Sequence, residues 1–167
     1  MAHKHIPAMQ PATRGLLGAY LEARYEVHGP GGILLLRPGQ PAPQGLDAVL
    51  PAARWTLITA SNPGSQPRSG ADNHRADAIL QAGLDALGLR RLPTLASDTQ
   101  GNWPEPGWLV ADLSTADTDA LARRFGQAGV LHWRTGEAVR LRIYLAPPAD
   151  GLEGIDTTCV EWVVPPP

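Results

Sequence analysis

Two stretches of this chain hold side chains that could do chemistry. The first is Ser61-Asn62-Pro63-Gly64-Ser65-Gln66, with Arg68 and Asn73 close behind it. It joins an apolar run to an amphipathic one, so it reads as a loop between a strand and a helix N-terminus. Free backbone N–H groups and the positive end of a helix dipole meet at such a junction, which suits an anion. Asn62, Ser65, Gln66 and Asn73 would add neutral donors there and Arg68 a charge. The loop is neither a P-loop, since no Gly-Lys-Ser/Thr follows its glycine, nor a dinucleotide-type glycine turn. The alternative is structural: Asn62 and Ser65 bond their own backbone in an Asx-turn while Pro63 and Gly64 reverse the chain.

The second stretch is Trp103-Pro104-Glu105-Pro106. Prolines on both sides fix the backbone of Glu105, and the Trp103 ring could desolvate its carboxylate. A desolvated carboxyl titrates higher and suits general acid/base catalysis. Glu105 could equally be an exposed loop carboxylate or one that accepts backbone N–H groups. The nearest second acid is Asp98. Gln127, after Phe125-Gly126, either reaches a ligand or satisfies helix-terminal carbonyls. A Ser65 nucleophile lacks a base, since His74 would have to fold back across the loop. His74 and Asp77 stand at i, i+3 without a second ligand pair, so neither a metal nor another cofactor is expected. Cys159, the single cysteine, excludes an internal disulfide and reads as a core or edge-strand thiol.

The elements that must position these residues follow from periodicity and punctuation. Thr13 is expected to cap a first helix carrying Leu16, Leu17, Tyr20 and Leu21. Tyr25–Val27 and Gly32–Arg37 read as strands around a His28-Gly29-Pro30-Gly31 turn, followed by a surface loop from Pro38 to Gly45. Arg54–Ala60 is β-rich and apolar on both faces, so it is expected at the centre of a sheet. Ala76, Ile79, Leu80, Gly83, Leu84 and Leu87 share one helical face, with Asp72 as the expected cap, Gly88 as the stop and Gly83 close to the sheet. Leu89–Ala96 and Gly107–Leu113 read as strands around a polar loop. Ser114 and Asp117 then form a capping box before Leu121 and Phe125. Ala128–Trp133 and Ala138–Leu145 form a hairpin around Thr135-Gly136. The order from Arg54 matches an α+β, ferredoxin-like β-α-β-β-α-β core, its helices on one face of a mixed or antiparallel sheet, extended by the N-terminal helix and hairpin. The organisation expected is a flexible N-terminus over 1–12, a single domain over 13–146, and a Pro-rich extension over 147–167 with an edge strand at Thr157–Val164.

Three of these segments in series resemble one family. They are Trp55 to Gln66 (WTLITASNPGSQ) with Asn73, then Gly101 to Pro106 (GNWPEP), then Arg124-Phe125-Gly126-Gln127. The chain resembles the bacterial proteins known as domain of unknown function 3293, over most of its length from the first helix to Tyr144. The family usually carries an aromatic where this chain has Ser61, so a ligand that stacked there would be held less tightly here. The resemblance implies where a site lies. It brings no assigned activity.

Bulk properties set further bounds. At 167 residues, with 43% apolar and 18% charged side chains, the chain is that of an ordinary globular domain able to bury a core. A net charge of −2 gives no general attraction to nucleic acid or anionic membrane, and the arginine pairs read as solvated surface. The N-terminal stretch lacks the apolar segment of a signal peptide, and Ile33–Leu36 is far too short to span a bilayer, so a cytoplasmic location is expected. Three functions compete. The first is a binding module for a small polar or phosphorylated metabolite, such as a nucleotide, at the Asn62–Gln66 loop and the following helix N-terminus. The second is a metal-independent enzyme using Glu105 as acid/base. The third is an interaction protein, such as a homodimer joined through an edge strand.

Overall fold

Alternation along the central strand explains both layers of the core. In the computed structural model, which describes residues 13–149 and 151–163, Arg54–Ile58 forms β3. Trp55 and Leu57 enter one apolar cluster and Ile58 enters another on the opposite face. A strand buried on both faces needs a nearly continuous apolar run, which this segment supplies. β3 pairs antiparallel with β5 (Glu105–Ala111) on one side and β6 (Gly129–Arg134) on the other.

Around this centre lies a mixed eight-stranded sheet. Its other strands are β1 (Arg24–Gly29), β2 (Gly32–Leu36), β4 (Arg91–Ser97), β7 (Leu141–Ile143) and β8 (Val160–Trp162), and the order is β2-β1-β4-β5-β3-β6-β7-β8. Every neighbouring pair is antiparallel except β7 with β8. Leu152, Ile155 and Val160 near the C-terminus pack on the cluster that contains Trp55. The N-terminal segment 1–12, expected to be flexible, lies outside the described residues.

Helices cover both faces rather than one. α3 (Gly70–Ala86) and α4 (Thr115–Arg124) bring Leu80, Leu84, Leu121 and Ala122 onto Ile58, Val110 and Val130. α1 (Thr13–Glu22) and the short α2 (Leu46–Val49) set Leu17 and Leu46 against the other face, with Trp55, Leu57, Leu109, Leu131 and Trp133. That second apolar face would otherwise meet water, so the sheet requires cover on both sides.

Local signals held at α4, where the Ser114 hydroxyl accepts from the Asp117 N–H at 3.0 Å. At α3 they shifted. Ser69, not Asp72, is the cap; its hydroxyl accepts from the Asp72 N–H at 3.1 Å. The buried ridge of α3 is also narrower than its periodicity predicts, since Ile79 and Leu87 stay 49% and 48% exposed. Gly83 makes no close approach: a Cβ there would meet nothing within 4 Å. The ridge of Leu80 and Leu84, with Ala76 beside it, makes the contact instead.

Beneath α4 the sheet buries polar groups that the sequence did not advertise. His132 lies between two hydroxyls, with Nδ1 at 2.7 Å from Thr56 Oγ1 and Nε2 at 2.9 Å from Thr115 Oγ1. Burial first, and then the Arg142 charge, hold this imidazole below its usual pKa. Arg142 makes a two-pronged pair with Asp119, both contacts at 2.7 Å, and Tyr144 donates to the same carboxylate. Arg142 is thus tied into the fold. Among the described residues no helix is long and apolar enough to cross a membrane.

Candidate functional site

The chain leaves β3 through a left-handed turn. Asn62 has φ 48° and Ser65 φ 59°, conformations that cost an ordinary residue about 1 kcal/mol or more and that asparagine tolerates best. Pro63–Ser65 forms a single 3-10 turn, closed by the Ser65 N–H donating to the Asn62 carbonyl at 2.9 Å. Gly126, just past α4, supports it from below. The Gly64 N–H donates to the Gly126 carbonyl at 2.6 Å, and a Cβ on Gly126 would come within 2.9 Å of Pro63. The Gln127 amide donates to the Ser61 carbonyl at 2.9 Å and to that of Phe125 at 3.3 Å. Gly126 and Gln127 therefore brace the turn, which gives the Phe-Gly-Gln segment a physical role.

Asn62 is the hub of the site. Its side-chain oxygen accepts from the Arg68 N–H at 3.0 Å and the Asn73 amide at 2.8 Å, and its backbone N–H donates to Asn73 Oδ1 at 2.9 Å. Its own amide donates to Glu105 Oε1 at 2.9 Å. The donors expected to face an anion are thus largely engaged with one another. Arg68 is turned inward too, with Nε on Asn73 Oδ1 at 3.1 Å and a terminal nitrogen on the Ala60 carbonyl at 3.1 Å.

Glu105 opens β5 opposite Ala96 of β4, because the strand starts before the expected Gly107 and takes in a residue read as part of the loop. Burial pushes its carboxyl above the ordinary value of 4.5, and the Asn62 hydrogen bond only partly offsets this. Trp103 is not the shield expected, because it remains 72% exposed. Asp98 is no partner acid. Its carboxylate accepts the N–H groups of Gln100 and Asn102 at 2.9 and 2.8 Å, and these bonds hold it below its usual pKa.

A cavity of about 350 Å³ opens beside Glu105, between α1 and the sheet. Its walls are mostly apolar, from Leu16, Ala23, Tyr25, Leu57, Ala96 and Leu131, while Asn62, Ser65, Trp103, Glu105 and Gln127 supply its polar and aromatic groups. Gln66 and Asn73, read as ligand groups from the sequence, do not line it, and neither does the α3 N-terminus. Tyr20 and Tyr25 are the residues that sequence reasoning missed. The Tyr20 hydroxyl lies 3.0 Å from Ser65 Oγ, and the Tyr25 hydroxyl donates to the Tyr20 carbonyl at 2.7 Å. Burial above all raises both phenols, and the Glu105 charge adds to it. In sequence Tyr20 looked like one more apolar-face residue of a helix.

A larger hollow of about 550 Å³ is lined by Gly39, Arg140 and Cys159 with Glu22, Glu137 and Asp156. It holds none of the clustered motif residues, and burial raises the Cys159 thiol, which disfavours the thiolate. The smaller cavity carries the convergent groups and the shifted carboxyl expected of a site.

The model of the family described as protein of unknown function (DUF3293) matches residues 58–130. The chain resembles that family. The DUF3293 stretch contains the Asn62 turn, Glu105 and Gln127, whereas Tyr20 and Tyr25 lie outside it. No curated protein and no solved structure matches the chain.

The Glu105 carboxyl makes a prediction with a definite sign. A folded-state value above 4.5 means that the group's contribution to stability is present below the unfolded value and lost as pH rises through the folded one. Glu105→Gln removes the buried charge. It should stabilise the unliganded protein at neutral pH by about 1 kcal/mol, and the gain should vanish near about pH 4. Urea titrations at the two pH values read this directly.

Proposed function

We propose that the protein is a binding module for a small organic molecule, held with its apolar body between α1 and the sheet and its polar head at Glu105. One observation carries the reading: a cavity of about 350 Å³ with apolar walls in which Glu105, Asn62 and Ser65 converge. Cavities of this size and lining are what small-molecule sites look like. A phosphorylated ligand is the weaker version, because among the described residues no Lys, Arg or His lines the cavity and the α3 N-terminus is not part of it.

A metal-independent enzyme is the second reading. It is favoured by a carboxyl raised by burial and lining a cavity, since a desolvated carboxyl suits general acid/base work. The scaffold reading goes with both. Within the sheet the order β4-β5-β3-β6, antiparallel throughout, with α3 and α4 in one apolar cluster, supports a ferredoxin-like core.

The test is a thermal-shift screen of small organic compounds against wild type and Ala96→Leu. Ala96 lines the cavity, and a larger side chain there takes up part of its volume. Compounds that raise the wild-type melting temperature should lose most of that effect in Ala96→Leu. Hits that stabilise both proteins equally would place the binding elsewhere.

A further inference from the structure

We infer that the molecule held in this cavity is an organic cation, an amine or amidine carried on an apolar body. The inference rests on the small-molecule reading and adds the chemical class. Among the described residues the only charged side chains lining the cavity are Asp98 and Glu105, both acidic. The Asp98 oxygens are engaged by the N–H groups of its own loop. Glu105 receives one hydrogen bond, from Asn62 to Oε1, and among the described residues no Lys, Arg or His forms an ion pair with it. The Arg68 guanidinium, which follows the Asn62 turn, is bonded to Asn73 and Ala60.

A half-buried carboxylate with an open oxygen and no cation is costly by itself and is repaid when a ligand brings the charge. The walls favour the same partner. Tyr20, Tyr25 and Trp103 put aromatic rings on the lining, and such rings attract ammonium and guanidinium groups through their faces. An anionic ligand would be repelled by Glu105 and Asp98. Linkage adds a consequence: a bound cation favours the ionised carboxylate, so affinity should rise with pH through the Glu105 titration. Asp98, Tyr20 and Tyr25, the other titratable groups on the cavity, lie outside that range, with Asp98 lowered and both phenols raised.

The experiment uses three probes of one shape: phenethylamine, phenethyl alcohol and phenylacetate, titrated calorimetrically into wild type and Glu105→Gln. The amine should bind wild type at least tenfold more tightly than the alcohol, with phenylacetate weakest. Glu105→Gln should bind the amine and the alcohol alike. Alcohol or phenylacetate matching the amine in wild type would overturn the cation assignment, as would an amine preference that survives in Glu105→Gln. Failure of phenethylamine to bind would overturn it too. In each case the small-molecule reading would still stand if a screening hit were lost in Ala96→Leu, so the two failures are distinguishable.

Discussion

Gly107→Ala should lower stability by about 2–3 kcal/mol, the cost of forcing atoms into a packed interior, and the melting temperature by about 5–10 °C. The reason is backbone proximity in the middle of the sheet. A Cβ at Gly107 would come within 2.7 Å of the Ile58 carbonyl oxygen and 3.2 Å of Thr59 Cβ, neither of which is the end of a flexible side chain. Thr94 Oγ1, at 3.1 Å, crowds the position from β4. The only relief is for β5 to move away from β3. Those strands carry Glu105 and lead into Asn62, whose hydrogen bond at 2.9 Å depends on the present separation. The substitution should therefore also weaken any ligand that requires Glu105. Differential scanning calorimetry, with circular dichroism to check the fold, measures the stability loss. An alanine variant as stable as wild type would mean that the strands are further apart than described.

Asn62→Ala should cost a similar amount, about 2–3 kcal/mol, by a different route. The side chain accepts from Arg68 and Asn73 and donates to Glu105, so its removal leaves two donors without an acceptor and a half-buried carboxylate without its donor. Alanine must also take φ 48°, which favours asparagine or glycine. Asn62→Gly separates the two causes: it should recover the conformational part, about 1 kcal/mol, and none of the hydrogen bonding. Chemical denaturation of the pair measures both. Equal losses in the two variants would mean that the turn stores no conformational strain. Loss of ligand binding in Asn62→Ala alone says little about direct contact, since the whole turn depends on this residue.

How far the sequence revealed this arrangement depended on how local the cause was. β3 was legible because burial on both faces demands an apolar run, and RWTLI is one. The α4 cap was legible because Ser114 and Asp117 need only each other. Neighbouring signals failed where distant packing decided. Gly83 looked like a close approach but faces open space, and the real close approach, Gly107, sits in a strand where nothing local marks it. The mutual bonding of Asn62, Arg68 and Asn73 depends on a left-handed turn that composition does not specify.

The candidate site was legible in part for the same reason. Asn62 and Glu105 stood out singly, but their contact spans 43 residues and exists only because β3 and β5 are neighbours. Tyr20 reaches the cavity because α1 lies on the face of the sheet opposite α3 and α4, and Tyr25 because β1 pairs with β4. No spacing between Tyr20 and Ser65 could have shown that contact. The family match, confined to residues 58–130, leaves that wall of the cavity outside as well.

The claim that the α1–sheet cavity is the binding site is tested most directly by an amide-resolved NMR titration. With phenethylamine, or a hit from the thermal-shift screen, added to the labelled wild-type protein, shifts should concentrate at Tyr20, Asn62, Ser65, Trp103 and Glu105. Shifts centred instead on Gly39, Arg140 and Cys159 would move the site to the larger hollow and contradict the account.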